Sequence, residues 1–244
     1  NIVGATMLAL SHIIKQQRGV ILNIELLKTK AEVLADNDMV AEEVRDYLQQ
    51  HHVYFVNLMG SPGAGKTTVL LSLLHQMKKD YSIGVIEADV ESMVDAETIG
   101  ETGVKVLQVH TGGSCHMDAS MTLQALRKLD CSDLNLVILE NVGNLVCPAE
   151  FDVGADLQMM VLSVPEGDDK PLKYPLMFQV SDLMVINKAD TKEIFDFDTA
   201  KATYNARKRN PQIEVLEISA LHKKGTDALE KYLRSKIDES HRIA

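Results

Sequence analysis

The chain has 244 residues, 45% of them hydrophobic, enough to bury a sizeable core in one main domain. A formal net charge of −10 argues against a sequence-independent grip on nucleic acid, which needs clustered lysine and arginine, so no nucleic-acid partner is expected. Three cysteines, Cys115, Cys131 and Cys147, are an odd number in a chain too large to need disulfide staples, and point to a reducing, cytoplasmic location.

In chain order, the opening NIVGATMLALSHIIKQQ starts at Asn1 rather than at a methionine, as a fragment or processed product would, and lacks the marks of a signal peptide. No apolar run is long enough to span a bilayer, so no membrane association is expected. From about Val20 to Gln50, IELLKTKAEVL and MVAEEVRDYL space their apolar residues by three and four, which predicts helix, and residues 1–52 are expected to form an N-terminal helical extension. From Val53 the pattern changes to short apolar runs, VYFVNLM, IGVIEA, VKVLQV, LNLVILE, MMVLSV, DLMVINK and IEVLEIS, separated by amphipathic segments. Runs apolar on both faces with helices between them predict an α/β fold, a mostly parallel central sheet with helices on both faces, over residues 53–244. The turn-rich, charged PEGDDKPLKYP, Pro165 to Pro175, is a candidate mobile or intersubunit element.

The first run leads into GSPGAGKT, Gly60 to Thr67, and then the helical TTVLLSLLHQMKK, which is the phosphate-loop pattern in its strand–loop–helix setting. Gly60, Ser61, Gly63, Ala64, Gly65, Lys66, Thr67 and Thr68 are expected to cradle phosphates. Backbone N–H groups and the helix N-terminus would face the negative charge, Lys66 would reach the β and γ phosphates, and the Thr67 hydroxyl would ligate Mg²⁺. Asn187-Lys188-x-Asp190, at the end of another run, looks like the guanine-recognition motif of GTPases: a fixed carboxylate accepts from the guanine N1–H and amino group, and adenine offers no such pair. EISA, Glu217 to Ala220, resembles the loop that contacts the guanine carbonyl through Ser219 and Ala220. GTP or GDP is the expected nucleotide.

Asp89 and Asp95 follow the second run where a first switch segment would lie, and Glu140 ends LNLVILE three residues before Gly143, the spacing of a second switch whose glycine N–H senses the γ-phosphate. Lys66, Asp89, Asp95 and Glu140 form the candidate catalytic group, with Thr67, Asp95 and Glu140 as the Mg²⁺ ligands. The choice between Asp89 and Asp95 for orienting water stays open, as does a helix-capping role for one of them.

HTGGSCHMDASM brings Cys115 and His116 together, and ENVGNLVCPAEFD places Cys147 seven residues beyond Glu140. Thiolate and imidazole suit Zn²⁺ and Ni²⁺. Adjacent ligands are nevertheless a weak signal, and from the residues alone buried or helix-capping roles stand ahead of metal binding.

Taken together and in order, GSPGAGKTT, GGSCHMDASM, ENVGNLVCPAEFD, PEGDDKPLKYP and NKAD resemble the hydrogenase maturation nickel-incorporation GTPases, the HypB family, from Val53 to the C-terminus. The resemblance implies a SIMIBI-like P-loop GTPase that delivers nickel to [NiFe]-hydrogenase. It implies Cys115, His116 and Cys147 as ligands of Ni²⁺ or Zn²⁺ shared across a GTP-dependent homodimer, and Lys173 reaching towards the partner's guanine. A nickel metallochaperone and the hydrogenase large-subunit maturation machinery are the implied partners. Neither a C-x-x-C-G-C motif nor a histidine-rich tail occurs in these residues, so a high-affinity N-terminal nickel site is not expected. Cys131 fits no metal motif, and His110, five residues before Cys115, is unassigned. Two other readings are a urease or cobalamin-enzyme accessory GTPase, although the urease relative should carry Cys-Pro-His, and a non-catalytic nucleotide-sensing metal storage or transfer module.

Overall fold

The computed structural model describes residues 10–17, 20–27, 29–89 and 94–243. Two strands, β1 (Leu10–Gln17) and β2 (Val20–Leu27), pair antiparallel, and the helix α1 (Lys30–His51) follows. The helix expected from about Val20 therefore begins ten residues later, and of the helical extension expected over 1–52, residues 10–17 and 20–27 are strands while 1–9, 18, 19 and 28 lie outside the described residues. VILNIELL satisfies period two as well as the helical period, an ambiguity inherent in short apolar runs. The helix start is set locally instead: Thr29 and Glu32 form a capping box, with Thr29 N–H donating to Glu32 Oε2 at 2.7 Å and Glu32 N–H to Thr29 Oγ1 at 3.3 Å.

All seven short apolar runs become strands of one sheet: β3 (Tyr54–Gly60), β4 (Ile83–Asp89), β5 (Lys105–His110), β6 (Leu136–Glu140), β7 (Leu157–Ser163), β8 (Leu183–Asn187) and β9 (Glu214–Glu217). The order is β5-β4-β6-β3-β7-β8-β9 and every pairing is parallel. Every residue of β3, β6 and β8 is buried, as expected of central parallel strands covered on both faces. The crossovers carry α2 (Lys66–Met77), α3 (Val94–Gly100), α4 (Ala119–Leu129) and the four-residue α5 (Cys147–Glu150). Beyond β7 come α6 (Lys170–Lys173), α7 (Pro175–Val180), α8 (Lys192–Phe195), α9 (Thr199–Arg207) and the closing α10 (Thr226–Ile243). No helix of the described residues is long and apolar enough to cross a membrane.

One apolar layer joins α2 and α10 to the sheet through Leu70, Leu74, Val85, Leu229 and Leu233. Another joins α1 and α4 to it through Val44, Leu48, Phe55, Leu126 and Val137. Asn37, buried in α1, pins this second layer: its Nδ2 donates to Asp152 O at 2.8 Å and its Oδ1 accepts from Ala119 N–H at 2.9 Å. The PEGDDKPLKYP stretch consists of a 3₁₀ turn at Val164–Glu166, α6 and the start of α7. Its Glu166 accepts from the Ser163 N–H and hydroxyl, both at 2.8 Å, and from the Ser61 hydroxyl, which ties this segment to the phosphate loop.

Because Leu48 is buried among Phe55 and Leu126, we expect Leu48→Ala to cost about 2–4 kcal/mol. Chemical denaturation followed by circular dichroism checks this, and an unchanged midpoint would show that α1 adds nothing to the stability of the sheet.

Candidate functional site

The parallel sheet directs the C-terminal ends of β3, β4, β6 and β8 to one edge, where open α/β sheets bind ligands. A cleft of about 650 Å³ lies there, lined by the phosphate loop, Glu87, Asp89, Asp95, Glu140 to Gly143 and Lys188. The loop Gly60–Thr67 turns from β3 into α2 by way of Gly65, whose φ of 92° is the left-handed conformation that glycine adopts freely. A Cβ on Gly65 would lie 2.6 Å from Asn187 Nδ2, so the glycine also permits the approach of β8.

That approach is built from side chains of the NKAD segment. Asn187 Nδ2 donates to Ala64 O at 3.1 Å, and its Oδ1 accepts from Ala220 N–H at 3.1 Å. Lys188 Nζ donates to Gly63 O at 2.7 Å. Asn187 thus fastens the phosphate loop to the Ser219–Ala220 turn. Asp190 accepts from the Ser219 hydroxyl and faces His222 Nε2 at 3.5 Å; the Ser219 bond holds its carboxyl below the usual carboxylate range. These contacts place Asn187, Lys188, Asp190, Ser219 and Ala220 together beside Gly63 to Gly65.

At the other end of the loop Lys66 is buried, with Nζ 3.5 Å from both Gly60 O and Ser61 O, and desolvation lowers its pKa despite Glu140 nearby. The Thr67 hydroxyl donates to Glu140 Oε1 at 2.8 Å. Burial pushes the Glu140 carboxyl up to about 7, against the pull of that hydrogen bond. Glu87 was not foreseen from the sequence, although an acid inside the apolar run IGVIEA is a signal. It lies opposite Glu140 in the β4–β6 register, 3% exposed, and desolvation followed by the charge of Glu140 pushes it up to about 8.

The oxygens Glu87 Oε2 and Glu140 Oε2 are buried and lack a hydrogen-bond partner among the described residues. Two orphaned carboxylate oxygens beside a threonine hydroxyl, with Asp89 and Asp95 on the same cleft, form an all-oxygen donor set that fits Mg²⁺. Asp89 ends β4 and Asp95 stands in the first turn of α3.

The second cluster lies where the loop after β5 meets the start of α5. Cys115 Sγ is 2.8 Å from Cys147 Sγ and 3.8 Å from His116 Nδ1, and the candidate ligand atoms of the three residues all lie within 4.8 Å of one another. The His116 ring stacks on Phe151 with centroids 4.0 Å apart, and burial lowers its pKa, which favours the neutral imidazole that ligates metals. Burial, then the neighbouring Cys115, raises the Cys147 thiol. The free thiols of Cys115 and Cys147, joined by His116, make a soft donor set suited to Ni²⁺ or Zn²⁺. His110 ends β5, exposed, and does not join this group. Cys131 is buried, bonds Leu126 O at 3.5 Å and has its thiol pushed up to about 11 by burial. Lys173 does not line the nucleotide cleft; it is exposed on α6 and pairs with Asp169 at 2.6 Å.

The two clusters are joined through the loop after β6. Gly143 packs so tightly on the phosphate loop that a Cβ would lie 2.9 Å from Pro62 N, and Asn144 N–H donates to Gly60 O at 3.1 Å. Four residues past Gly143 the same segment delivers Cys147.

A seven-stranded parallel sheet with a phosphate loop on its central strand and an Asn-Lys-x-Asp segment beside it defines a nucleotide-binding protein of the P-loop GTPase class. Residues 54–217 match the family model described as CobW/HypB/UreG, nucleotide-binding domain. The hydrogenase maturation factor HypB of Escherichia coli strain K12 is 43% identical over 202 residues, covering 83% of this chain and 70% of that protein. Among solved structures, HypB of Helicobacter pylori in complex with nickel superposes with a TM-score of 0.80 at 37% identity, covering 84% of this chain and 96% of that one. The hydrogenase maturation factor HypB of Archaeoglobus fulgidus superposes with a TM-score of 0.78 at 36% identity, covering 84% and 100%. The chain belongs to the HypB family.

Glu87 and Glu140 ionise in the unfolded chain near their ordinary value of 4.5 but hold their protons to about 8 and about 7 when folded. Between those values the folded protein binds more protons than the unfolded one, so stability present at low pH is lost as pH rises from about 5 to about 8. Without Mg²⁺ and nucleotide, Glu87→Gln should flatten this slope and be more stable than the parent at pH 8. Thermal melts across the range check it; parallel curves for the two proteins would refute it.

Proposed function

We propose that this protein is a metal-regulated GTPase that delivers nickel during [NiFe]-hydrogenase maturation. The reading is carried by one observation: the loop that touches the phosphate loop at Gly60 and Pro62 also supplies Cys147 to the Cys115–His116 cluster. A protein of this build can report the presence of a γ-phosphate directly to a metal ligand.

In this reading the phosphate-loop N–H groups and the start of α2 bind the phosphates, and Lys66 sets its charge against the transferring phosphoryl group. Thr67, Glu140 and Asp95 hold Mg²⁺, which neutralises phosphate charge. Asp89 or Asp95 orients the attacking water. Asp190 accepts from the guanine edge, with Asn187, Lys188, Ser219 and Ala220 shaping the pocket around it. Burial of Lys66 and Glu140 supports this assignment, because charge acts more strongly out of water.

Cys115, His116 and Cys147 supply three ligands and leave a four-coordinate ion incomplete, which supports sharing across a homodimer. Support also comes from α5, α6 and α7, which pack together while Val146, Leu172 and Leu176 nearby stay exposed. Lys173, exposed in that region and paired with Asp169 at the start of its own helix, would exchange that ion pair to reach the partner's nucleotide. A nickel metallochaperone would load the site and the hydrogenase large-subunit machinery would receive the ion.

Lys66→Ala should abolish single-turnover GTP hydrolysis, and Asp190→Asn should shift preference from guanine to xanthine nucleotides in competition titration. A parent protein that binds GTP and leaves it intact would instead be a metal storage module. Cys147→Ala should lower the nickel bound per chain and blunt GTP-dependent dimerisation, whereas buried Cys131→Ala should do neither. Sedimentation with metal quantification, in GDP and in a non-hydrolysable GTP analogue, decides this; equal metal and equal dimer for Cys147→Ala and parent would remove the shared site.

A further inference from the structure

Two asparagines of the loop after β6 grip the metal-binding loop on either side of His116. Asn141 directly follows Glu140 and is 1% exposed. Its Oδ1 accepts from the N–H of Met117 at 3.1 Å and of Val142 at 2.9 Å, while its Nδ2 donates to Asn57 Oδ1 at 3.1 Å. Two backbone donors converging on one side-chain atom require that atom to be the oxygen, so the orientation of the amide follows from its partners. Asn57, in the middle of β3, donates in turn to Gln158 Oε1 on β7 at 2.8 Å. Asn144 directly follows Gly143. Its backbone donates to Gly60 O, its Oδ1 accepts from Val146 N–H at 2.8 Å, and its Nδ2 donates to Cys115 O at 3.4 Å.

The segment Cys115–Met117 is therefore held at the Cys115 carbonyl by Asn144 and at the Met117 N–H by Asn141. Both asparagines belong to the same short run that carries Glu140 and Gly143. An apolar residue at 141 would leave the buried N–H of Met117 and the Oδ1 of Asn57 without this partner, so the amide is tied to this arrangement.

We propose that Asn141 and Asn144 are positioning residues that carry the nucleotide state to Cys115 and His116, while the chain itself carries it to Cys147. The proposal rests on the reading of this protein as a nucleotide-gated metal carrier. A shift of Gly143 against Gly60 moves the Cys115–His116 half through the two asparagines and the Cys147 half through the chain, with the Asn144 side chain also bonded to the Cys147 thiol. Metal–ligand bonds tolerate only about 0.2 Å of error, so the way the two halves move relative to one another sets the affinity.

The test measures Ni²⁺ affinity of the full chain by competition with a chromogenic chelator, with Mg²⁺ present and at saturating GDP or non-hydrolysable GTP analogue for each variant. The parent should show affinities differing by about five-fold or more between the two nucleotides, the usual scale of coupling between sites. Asn141→Ala and Asn144→Ala should each still bind Ni²⁺ but bring that ratio to within about two-fold of one. Asn144 reaches Cys115 at an exposed position, so Asn144→Ala decides the matter alone if Asn141→Ala fails to fold. A parent ratio of five or more that both folded variants retain overturns the positioning role and leaves the carrier reading intact. A parent ratio near one overturns the carrier reading and the positioning role with it.

Discussion

The close contact between Gly60–Pro62 and Gly143–Asn144 is the constraint from which the rest of the site follows. Two loops at the ends of neighbouring central strands meet with one backbone hydrogen bond and no room for a Cβ at Gly143. At that separation Glu140 reaches the Thr67 hydroxyl. The chain leaving Asn144 bends at Leu145 and Val146 to reach Cys147, and the return from β5 brings Cys115 to meet it. Phosphate chemistry and thiol chemistry are consequently neighbours by construction.

The cleft concentrates groups that cost stability. Lys66, Glu87 and Glu140 are all buried, and the two carboxyls lie opposite each other on adjacent strands. Desolvation disfavours each charge, and the neighbouring acids add to it, Glu140 acting on Glu87 and Asp95 and Asp89 acting on Glu140, so both carboxyls are pushed up towards neutral pH. Apolar layers on both sides of the sheet offset this local cost and keep the strand ends in place. Strain of this kind belongs where a cation and phosphates are to be bound, because their charge relieves it.

The periphery of the site is tied to the same centre. Asn187 links the phosphate loop to the Ser219–Ala220 turn, and Glu166 links it to the segment that leads to Lys173. Each of these side chains limits how far one loop can move without its neighbour. A phosphate loop held from three sides is preorganised, which is the main requirement of phosphoryl transfer.

The sheet was legible in the sequence because buried parallel strands leave an unmistakable local mark, and all seven apolar runs became strands. The phosphate loop and the NKAD segment were legible for the same reason: their spacing and residue types follow from backbone geometry within a few residues. The start of α1 was not, since VILNIELL fits two periods and only the capping box at Thr29 separates them. Glu87 and the Asn57–Asn141–Met117 chain of hydrogen bonds could not be read in advance either. A buried acid or amide acquires its meaning from partners dozens of residues away. By itself the sequence determined the seven strands of the main sheet, their class and the short motifs, all of which are governed by local periodicity and turn chemistry, but not the strands Leu10–Gln17 and Val20–Leu27. The residues alone left buried or capping roles ahead of metal binding, and a family resemblance grouped Cys115, His116 and Cys147; that the three lie within reach of one another beside the cleft was decided by the tertiary structure, because it depends on strand order, and strand order is set by long-range packing.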